Sequence, residues 1–137
     1  MIKLTRRYPF SASHRLHSPA FTPERNAELY GKCNNPHGHG HNYTVEVTVA
    51  GPVDEITGRV ANLSTLDALV RERVIQAFDH RNMNEDIAEF RELVPTTENV
   101  AEVVRRRLLS GWPDDFARLD RVRIFETRNN IFEIGNI

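Results

Sequence analysis

CNNPHGHGHNYTVEVTV, residues 33 to 49, joins a thiol and three imidazoles to the start of a strand. From Tyr43 to Val49 apolar and polar residues alternate, which is the two-residue period of a half-buried β-strand. Carried backwards, the same alternation places His39 and His41 on one face, with Cβ atoms about 6–7 Å apart. Two imidazoles so placed can bind one metal ion, and we interpret the rest of the chain around this strand.

Composition restricts the class of protein before any other motif is considered. The chain has 137 residues, which predicts a single domain over residues 1–137 with a core of its own. It carries 18 basic and 19 acidic side chains, for a net charge of -1. We therefore expect no binding to nucleic acid or to membrane surfaces, because both interactions need an excess of basic charge.

The hydropathy of the chain and its single cysteine predict a cytoplasmic protein without disulfides. The first ten residues lack the apolar core of a signal peptide, and no run approaches the roughly 20 apolar residues of a membrane span. Cys33 is the one cysteine, so it has no partner for a disulfide within the chain.

A first strand is predicted at the start of the chain. Apolar residues alternate with polar ones over residues 2–12, and His14 continues the apolar face. Arg6 interrupts this face and Pro9 has no N–H to donate, so we expect an edge position or a bulge there. Residues 15–38 hold three prolines and two glycines without a sustained period, which predicts a long loop.

Two helices and two strands are predicted to follow. Apolar residues have helical spacing from Asn62 to Phe78 and again from Val100 to Leu108, and alternation returns over residues 121–124 and 131–134. The order ββααββ predicts an α+β domain in which an antiparallel four-stranded sheet carries two helices on one face. The other face and both edges stay open, and because open edges are normally paired, we expect a homo-oligomer.

The pair His39 and His41 needs a third metal ligand from elsewhere in the chain. His14 is the best candidate, because it ends a strand that plausibly neighbours theirs. Three histidines leave one tetrahedral position free, which is typical of a catalytic zinc site. The alternative is that these are surface or packing histidines. His17 and His37 are expected to be exposed or supporting side chains.

Cys33 and the pair Asp79-His80 each have more than one interpretation. Cys33 could be a buried small residue, a fourth ligand that closes the metal site, or a general base whose thiol pKa is lowered by a cation. Asp79 and His80 could form an acid–base couple or a charge pair at the end of a helix.

Glu126 is a carboxylate on the apolar face of a strand, where it needs a partner or a ligand. Two acceptors in a plane suit an arginine or the N–H and amino groups of a heterocycle. Thr96, Thr97 and Glu98 predict a helix N-cap with an acid in the first turn, or a polar rim that faces a ligand.

Five motifs in this order resemble those of the 6-pyruvoyl-tetrahydropterin synthase family, and the resemblance covers nearly the whole chain. The motifs are SASHRL at 11–16, CNNPHGHGHNY at 33–43, FDHRNMN at 78–84, PTTENVA at 95–101 and FETRNN at 125–130. The resemblance implies a two-layer tunnelling fold whose subunits join their sheets into a barrel, commonly as a hexamer of two trimers. It also implies active sites that lie between subunits.

The resemblance further implies a role for each candidate residue. Zinc binds the three histidines His14, His39 and His41; the catalytic triad is Cys33, Asp79 and His80; the pterin ring is anchored by Glu126; and its rim is Thr96, Thr97 and Glu98. The implied substrate is 7,8-dihydroneopterin triphosphate. Zinc acidifies the side-chain hydroxyls, the thiolate removes a proton, His80 exchanges protons on the other side, and triphosphate leaves without any redox cofactor.

The product is predicted from the distance between the cysteine and its HGH motif. Five intervening residues resemble the pyruvoyl enzymes, and three resemble the sister 6-carboxytetrahydropterin synthases of queuosine biosynthesis, which give 6-carboxytetrahydropterin and acetaldehyde from the same substrate. Five residues separate Cys33 from His39-Gly40-His41, and three separate it from His37-Gly38-His39. The strand alternation selects His39-Gly40-His41 and so favours the pyruvoyl product. Two other classes stay open, namely a structural zinc module and a zinc hydrolase.

Overall fold

A computed structural model describes residues 1–135, and the predicted domain end at residue 137 lies outside them. In chain order the elements are β1 (Ile2–His14), α1 (Pro23–Tyr30), a 3₁₀ turn (Gly31–Asn34), β2 (His39–Gly51), α2 (Leu63–Val70), a π-helical turn (Arg71–Ile75), α3 (Gln76–Phe78), β3 (Arg81–Asn82), α4 (Met83–Asp86), a second 3₁₀ turn (Ala88–Arg91), α5 (Thr97–Leu109), β4 (Arg118–Phe125) and β5 (Ile131–Ile134).

The sheet has five strands in the order β3-β1-β2-β4-β5. Three of the strand pairs are antiparallel, whereas β3 pairs in parallel with Ala12 and Ser13 of β1. The α+β class is confirmed. The sheet was predicted to have four antiparallel strands, and this is wrong because a fifth, short and parallel strand, β3, is added at one edge. Two residues are too few to produce an alternating pattern, so the sequence carried no signal for β3.

The first strand behaves as its sequence predicted. Residues 2–14 pair with β2 without a shift in register. On the other side, within residues 1–135, only residues 12–13 are paired, so Pro9 lies on an unpaired edge of that part of the chain. Arg6, which interrupts the apolar face, donates two hydrogen bonds to the carboxylate of Asp67 on α2, and Tyr8 donates a third. The charge is therefore paired where β1 meets the helical layer.

The prediction of a loop over residues 15–38 is wrong for its second half, which contains α1 and a 3₁₀ turn. Thr22 caps α1 by accepting a hydrogen bond from Arg25 N, and Pro23 occupies the first turn. The one buried residue of this helix is Asn26, whose amide bonds to Ser18 and Thr22. Because the one buried side chain of this helix is an asparagine, its sequence has no apolar period that would predict a helix.

The core lies between the sheet and the helices. One face of β1, β2 and β4 packs against the apolar sides of α2, α3 and α5; its fully buried members include Val45, Val47, Val122, Ile124, Val70, Val74, Phe78, Val100, Val104 and Leu108. Burying a side chain of this size contributes about 1.5–3 kcal/mol relative to exposure. This layer stops at one end of the sheet, where β1 ends at His14 and β2 begins at His39.

The opposite face of the sheet carries charges. Glu46 is buried there and accepts hydrogen bonds from Arg7 on one neighbouring strand and Arg123 on the other. Beside it, the hydroxyls of Thr5 and Thr48 lie 2.7 Å apart.

Within residues 1–135, the helices are all too short or too polar to cross a membrane. The predicted cytoplasmic location is not tested by this and stays a prediction.

Candidate functional site

Three histidines converge where β1 and β2 meet at the end of the sheet. His14 is paired in register with His39, and His41 lies two residues further along β2 on the same face. Their ligand nitrogens all lie within 4.8 Å of one another, and the Nε2 atoms of His39 and His41 are 2.7 Å apart. The predicted convergence is confirmed. His37 precedes the strand and lies exposed, so the predicted choice of HGH motif is also confirmed.

The ring of His14 is held in one tautomer. Its Nδ1 lies 2.8 Å from the carbonyl oxygen of Pro95, and because a carbonyl only accepts, Nδ1 carries the proton. The opposite nitrogen, Nε2, is buried and has no hydrogen-bond partner among residues 1–135. A buried lone pair without a partner is unfavourable unless a ligand binds it. Burial lowers the pKa of His14 to about 4, so the ring is neutral at pH 7.

Gly38 allows the segment before β2 to lie directly on the backbone of His14. Its φ is +71°, and a Cβ built there would be 2.8 Å from the carbonyl oxygen of His14. Gly40, between the two ligands on β2, differs because a Cβ there would meet only Ala12 O at 3.8 Å. Gly38 and Pro95 therefore both hold His14, and sequence reasoning missed both. Gly38, just before the strand, could have indicated a close backbone contact, whereas no sequence pattern indicated the contact between His14 and Pro95.

The donor set fits a transition-metal ion. Neutral imidazole is a common ligand of zinc, copper, iron and nickel, and three imidazoles leave one position for another ligand. The orphaned Nε2 of His14 is the observation in this structure that matches such a site. The geometry supports a metal site without specifying the ion.

Cys33 lies beside this cluster on the 3₁₀ turn before β2. Its Sγ is 3.7 Å from Nε2 of His39, and it lines a cavity of about 600 Å³ together with Lys32, His39 and His41. Burial, with a smaller contribution from Glu126, raises the pKa of the thiol. A cation on the histidines would act in the opposite direction, since nearby positive charge favours a thiolate.

Glu126 directly follows β4 and faces the same cluster. Its side chain is 16% exposed; Oε2 accepts a hydrogen bond from Thr97 Oγ1 at 2.9 Å, and Oε1 lies 3.4 Å from His41 Nε2. Among residues 1–135 it pairs with no arginine, and its contacts are with Thr97 and His41. Thr96 is the N-cap of α5, as predicted, and accepts from Asn99 N. Glu98 is exposed in the first turn of that helix.

Asp79 and His80 form an oriented pair on the edge of β1. Asp79 Oδ1 accepts from Ser11 N, which is the main reason that its pKa is lowered, and its Oδ2 lies 3.1 Å from His80 Nδ1. The side chain of His80 is 82% exposed, and within residues 1–135 His80 alone combines a side chain with a positive φ, +59°. This left-handed conformation costs about 1–2 kcal/mol. The two side chains are therefore in contact, as either interpretation of the pair requires.

One copy of the chain does not bring all the candidates together. Cys33 lines the cavity beside His39 and His41. His80 lines a smaller depression that also touches His41, and Asp79 lines another; neither of these includes Cys33. The site thus has a histidine half, His14, His39, His41, Cys33, Thr97 and Glu126, and an edge half, Asp79 and His80.

Comparisons with known proteins identify the relatives of this chain. A family profile described as 6-pyruvoyl tetrahydropterin synthase matches residues 3–136. The 6-pyruvoyl tetrahydrobiopterin synthase of Homo sapiens is 46% identical over 129 residues, covering 94% of this chain and 88% of the relative. The putative 6-carboxy-5,6,7,8-tetrahydropterin synthase of Archaeoglobus fulgidus is 32% identical over 117 residues, covering 85% and 90%.

A solved structure extends the likeness to the fold. The 6-pyruvoyl tetrahydropterin synthase of Caenorhabditis elegans has a TM-score of 0.90 with this chain at 38% identity, and the match covers 99% of this chain and 96% of that one. Because the profile and both kinds of relative match nearly the full length, this chain belongs to the 6-pyruvoyl tetrahydropterin synthase family.

Proposed function

We propose that this protein is a zinc-dependent lyase that converts 7,8-dihydroneopterin triphosphate to 6-pyruvoyl-tetrahydropterin with release of triphosphate. The observation that carries the proposal is the convergence of three histidines beside a thiol and a half-buried carboxylate at one end of the sheet. Membership of the family supports the reaction, since that family is described by the pyruvoyl product.

His14, His39 and His41 would hold the zinc ion, which when bound supplies a Lewis acid that makes protons near the substrate's hydroxyl groups easier to remove. Cys33, as a thiolate, takes a proton from a side-chain carbon of the substrate. Glu126 anchors the pterin ring by accepting hydrogen bonds from its N–H and amino groups. Its own contact with Thr97 supports this role, because the hydroxyl holds the carboxylate in one orientation.

Asp79 and His80 exchange protons on the other face of the substrate. Asp79 accepts from the Nδ1 proton of His80, so that Nε2 is left to face the substrate. Because this pair lies apart from Cys33 in one chain, we propose that a neighbouring copy completes the site, in a homohexamer of two trimers. The free edges of β1 and β5 supply surfaces through which sheets can join. Thr96 and Glu98 form the rim at the start of α5.

The alternative product, 6-carboxytetrahydropterin, is supported less well. The human relative named as a pyruvoyl enzyme is 46% identical, whereas the archaeal relative named as a carboxy enzyme is 32% identical. The choice of the second HGH motif, with five residues after Cys33, favours the same product.

The experiment that tests the proposal is anaerobic incubation of the zinc-loaded protein with 7,8-dihydroneopterin triphosphate. Mass analysis identifies the pterin, and a separate assay detects acetaldehyde. Release of triphosphate together with a pyruvoyl pterin is expected. A carboxypterin with acetaldehyde would assign the chain to the sister activity, and the absence of turnover would contradict both.

Substitution of Cys33 separates the lyase from the other zinc proteins. Cys33→Ala is expected to keep the metal and to lose turnover by about 10²–10⁴-fold, the usual contribution of a general base. A structural zinc module with Cys33 as fourth ligand would instead lose metal. A zinc hydrolase would keep its activity, because metal-bound hydroxide would be its nucleophile.

A further inference from the structure

A second cavity, of about 920 Å³, lies against the back of the histidine cluster. It is bounded by four segments, residues 15–19, 36–38, 82–85 and 90–95. Two of its wall residues, Gly38 and Pro95, are the ones that contact His14. The cavity is therefore separated from the three imidazoles by little more than the backbone around one of them, and none of the roles proposed above uses it.

Arg15 is a positioned cation in this wall. Its backbone is fixed from both sides, because Asn84 accepts from Arg15 N at 2.7 Å and donates to Arg15 O at 2.9 Å. Its Nε donates to Asn34 O, whereas its two terminal nitrogens have no hydrogen-bond partner within residues 1–135. A guanidinium held at one nitrogen with its other donors free has the fork geometry that matches phosphate oxygens.

His17 adds a second donor, and its tautomer follows from Asn34. The amide nitrogen of Asn34 donates to Leu16 O and lies 3.1 Å from His17 Nδ1. Because that nitrogen is a donor, Nδ1 of His17 accepts, and the proton of the neutral ring is on Nε2. His17 and Arg15 are thus both held by the residue that follows Cys33.

The other charged residues of the wall are exposed. Arg91 and His37 are cationic or can become so, and Glu85 and Glu92 are acidic. Within residues 1–135 none of these four side chains forms an ion pair. Both acids lie in solvent, where charge interactions are screened, whereas Arg15 and His17 are half-buried and oriented. The preorganised donors therefore favour an anion with several oxygens.

We propose that this cavity binds the phosphate groups of a polyphosphate-bearing ligand, with Arg15, His17 and Arg91 as the donors. Assigning that ligand as the triphosphate tail of the substrate rests on the proposed function. The order of the strands agrees with this assignment. Glu126 follows β4, His41 and His39 lie on β2, and His14 and Arg15 lie at the end of β1, so these groups follow one another across the same end of the sheet.

The test compares two ligands that differ only in the phosphates, 7,8-dihydroneopterin triphosphate and 7,8-dihydroneopterin. Dissociation constants are measured under anaerobic conditions in the full-length, metal-loaded Cys33→Ala protein. Adding Arg91→Gln is expected to weaken the triphosphate by about tenfold and to leave the free pterin unchanged, since a hydrogen bond to a charged group is lost. Arg15→Gln is expected to act in the same direction and more strongly.

Two controls bracket this result. Glu92→Gln removes an acid from the same wall and is expected to tighten binding of the triphosphate alone. Arg106→Gln removes an exposed arginine of α5 that does not line the cavity and is expected to change neither constant.

Equal weakening of both ligands, or no change with either arginine variant, would overturn the phosphate site. Failure of the proposed function looks different, because the unmodified protein would then not turn over the triphosphate even if Arg91→Gln still weakened its binding alone.

Discussion

The two halves of the site are built in opposite ways. The histidine half is buried or half-buried and held by strand pairing, with His14 only 1% exposed and paired in register with His39. The edge half is 82% exposed at His80 and depends on one left-handed residue whose backbone bonds to Ser11. The comparison indicates that the histidine cluster is fixed by paired strands, whereas the proposed proton-exchange pair lies exposed at the edge of the sheet, where we propose that a neighbouring copy completes the site.

The largest expected effect is that of replacing His80 in the edge half, which tests its catalytic role and its backbone strain separately. His80→Gly should lower kcat by about 10²–10⁴-fold, because the proton-exchange group is lost. It should also raise the free energy of unfolding by about 1 kcal/mol, because glycine adopts a positive φ without steric cost. Turnover assays and denaturant titrations measure the two quantities.

A matched variant checks this interpretation. Asparagine tolerates the left-handed conformation, so His80→Asn should lose the same activity with a smaller gain in stability. If His80→Gly were less stable than the parent, the left-handed residue would not be a source of strain.

The next effect concerns the packing of the histidine half. Gly38→Ala forces a Cβ against His14 O and should lower metal affinity by about 10–100-fold, the range found when residues that support a ligand are changed. Competition with a chelator measures this affinity directly.

Two glycine variants serve as controls for Gly38→Ala. Gly40→Ala has room for the new Cβ although it lies between two ligands, and it should bind metal normally. Gly58→Ala has a similar positive φ, +72°, in open space, so it reports the backbone strain alone. Equal losses of metal affinity in Gly38→Ala and Gly40→Ala would contradict the proposed contact with His14.

A smaller effect is expected where the histidine half would meet the pterin. Thr97→Val removes the hydroxyl that donates to Glu126 and should weaken binding of 7,8-dihydroneopterin by about tenfold, in line with one hydrogen bond to a charged group. Thr97→Ser restores the donor and should recover most of the affinity. If serine did not rescue binding, the methyl packing of Thr97 would matter more than its hydrogen bond.

The smallest effect returns to the edge half. The pKa of Asp79 is lowered, chiefly by Ser11 N–H, below the value of about 3.9 of an unfolded chain. Its carboxylate therefore stabilises the fold above about pH 4, and this contribution is lost as the pH falls through the lowered pKa. Asp79→Asn should cost less than about 1 kcal/mol at pH 7, and the difference from the parent should vanish in acid. A difference that persisted at pH 2 would have another origin.

The sequence predicted the histidine half better than the edge half. Alternation in β1 and β2 was enough to bring His14 opposite His39 and His41, because a two-residue period fixes which side chains share a face. The helices that bury an apolar stripe were also predicted. In contrast, α1 and β3 carry almost no apolar pattern, and the contact between His14 and Pro95 joins residues 81 positions apart.

The cavity behind His14 was likewise not predicted from the sequence. Arg15 was one of several basic side chains available in the sequence, and His17 was expected to be an exposed or supporting side chain. The folded chain places Asn34 and Asn84 around them. Side-chain contacts between distant loops depend on the completed fold, so local sequence patterns do not reveal them.

The buried Glu46 on the charged face of the sheet also protects the fidelity of folding. A slip of one residue between β1 and β2 would exchange the two faces of β2. It would drive this carboxylate into the apolar core, away from Arg7 and Arg123, while His39 and His41 turned away from His14. The misregistered chain would thus lose its ion pairs and its metal site in a single step, so a chain that can capture metal has already passed a check on its strand alignment.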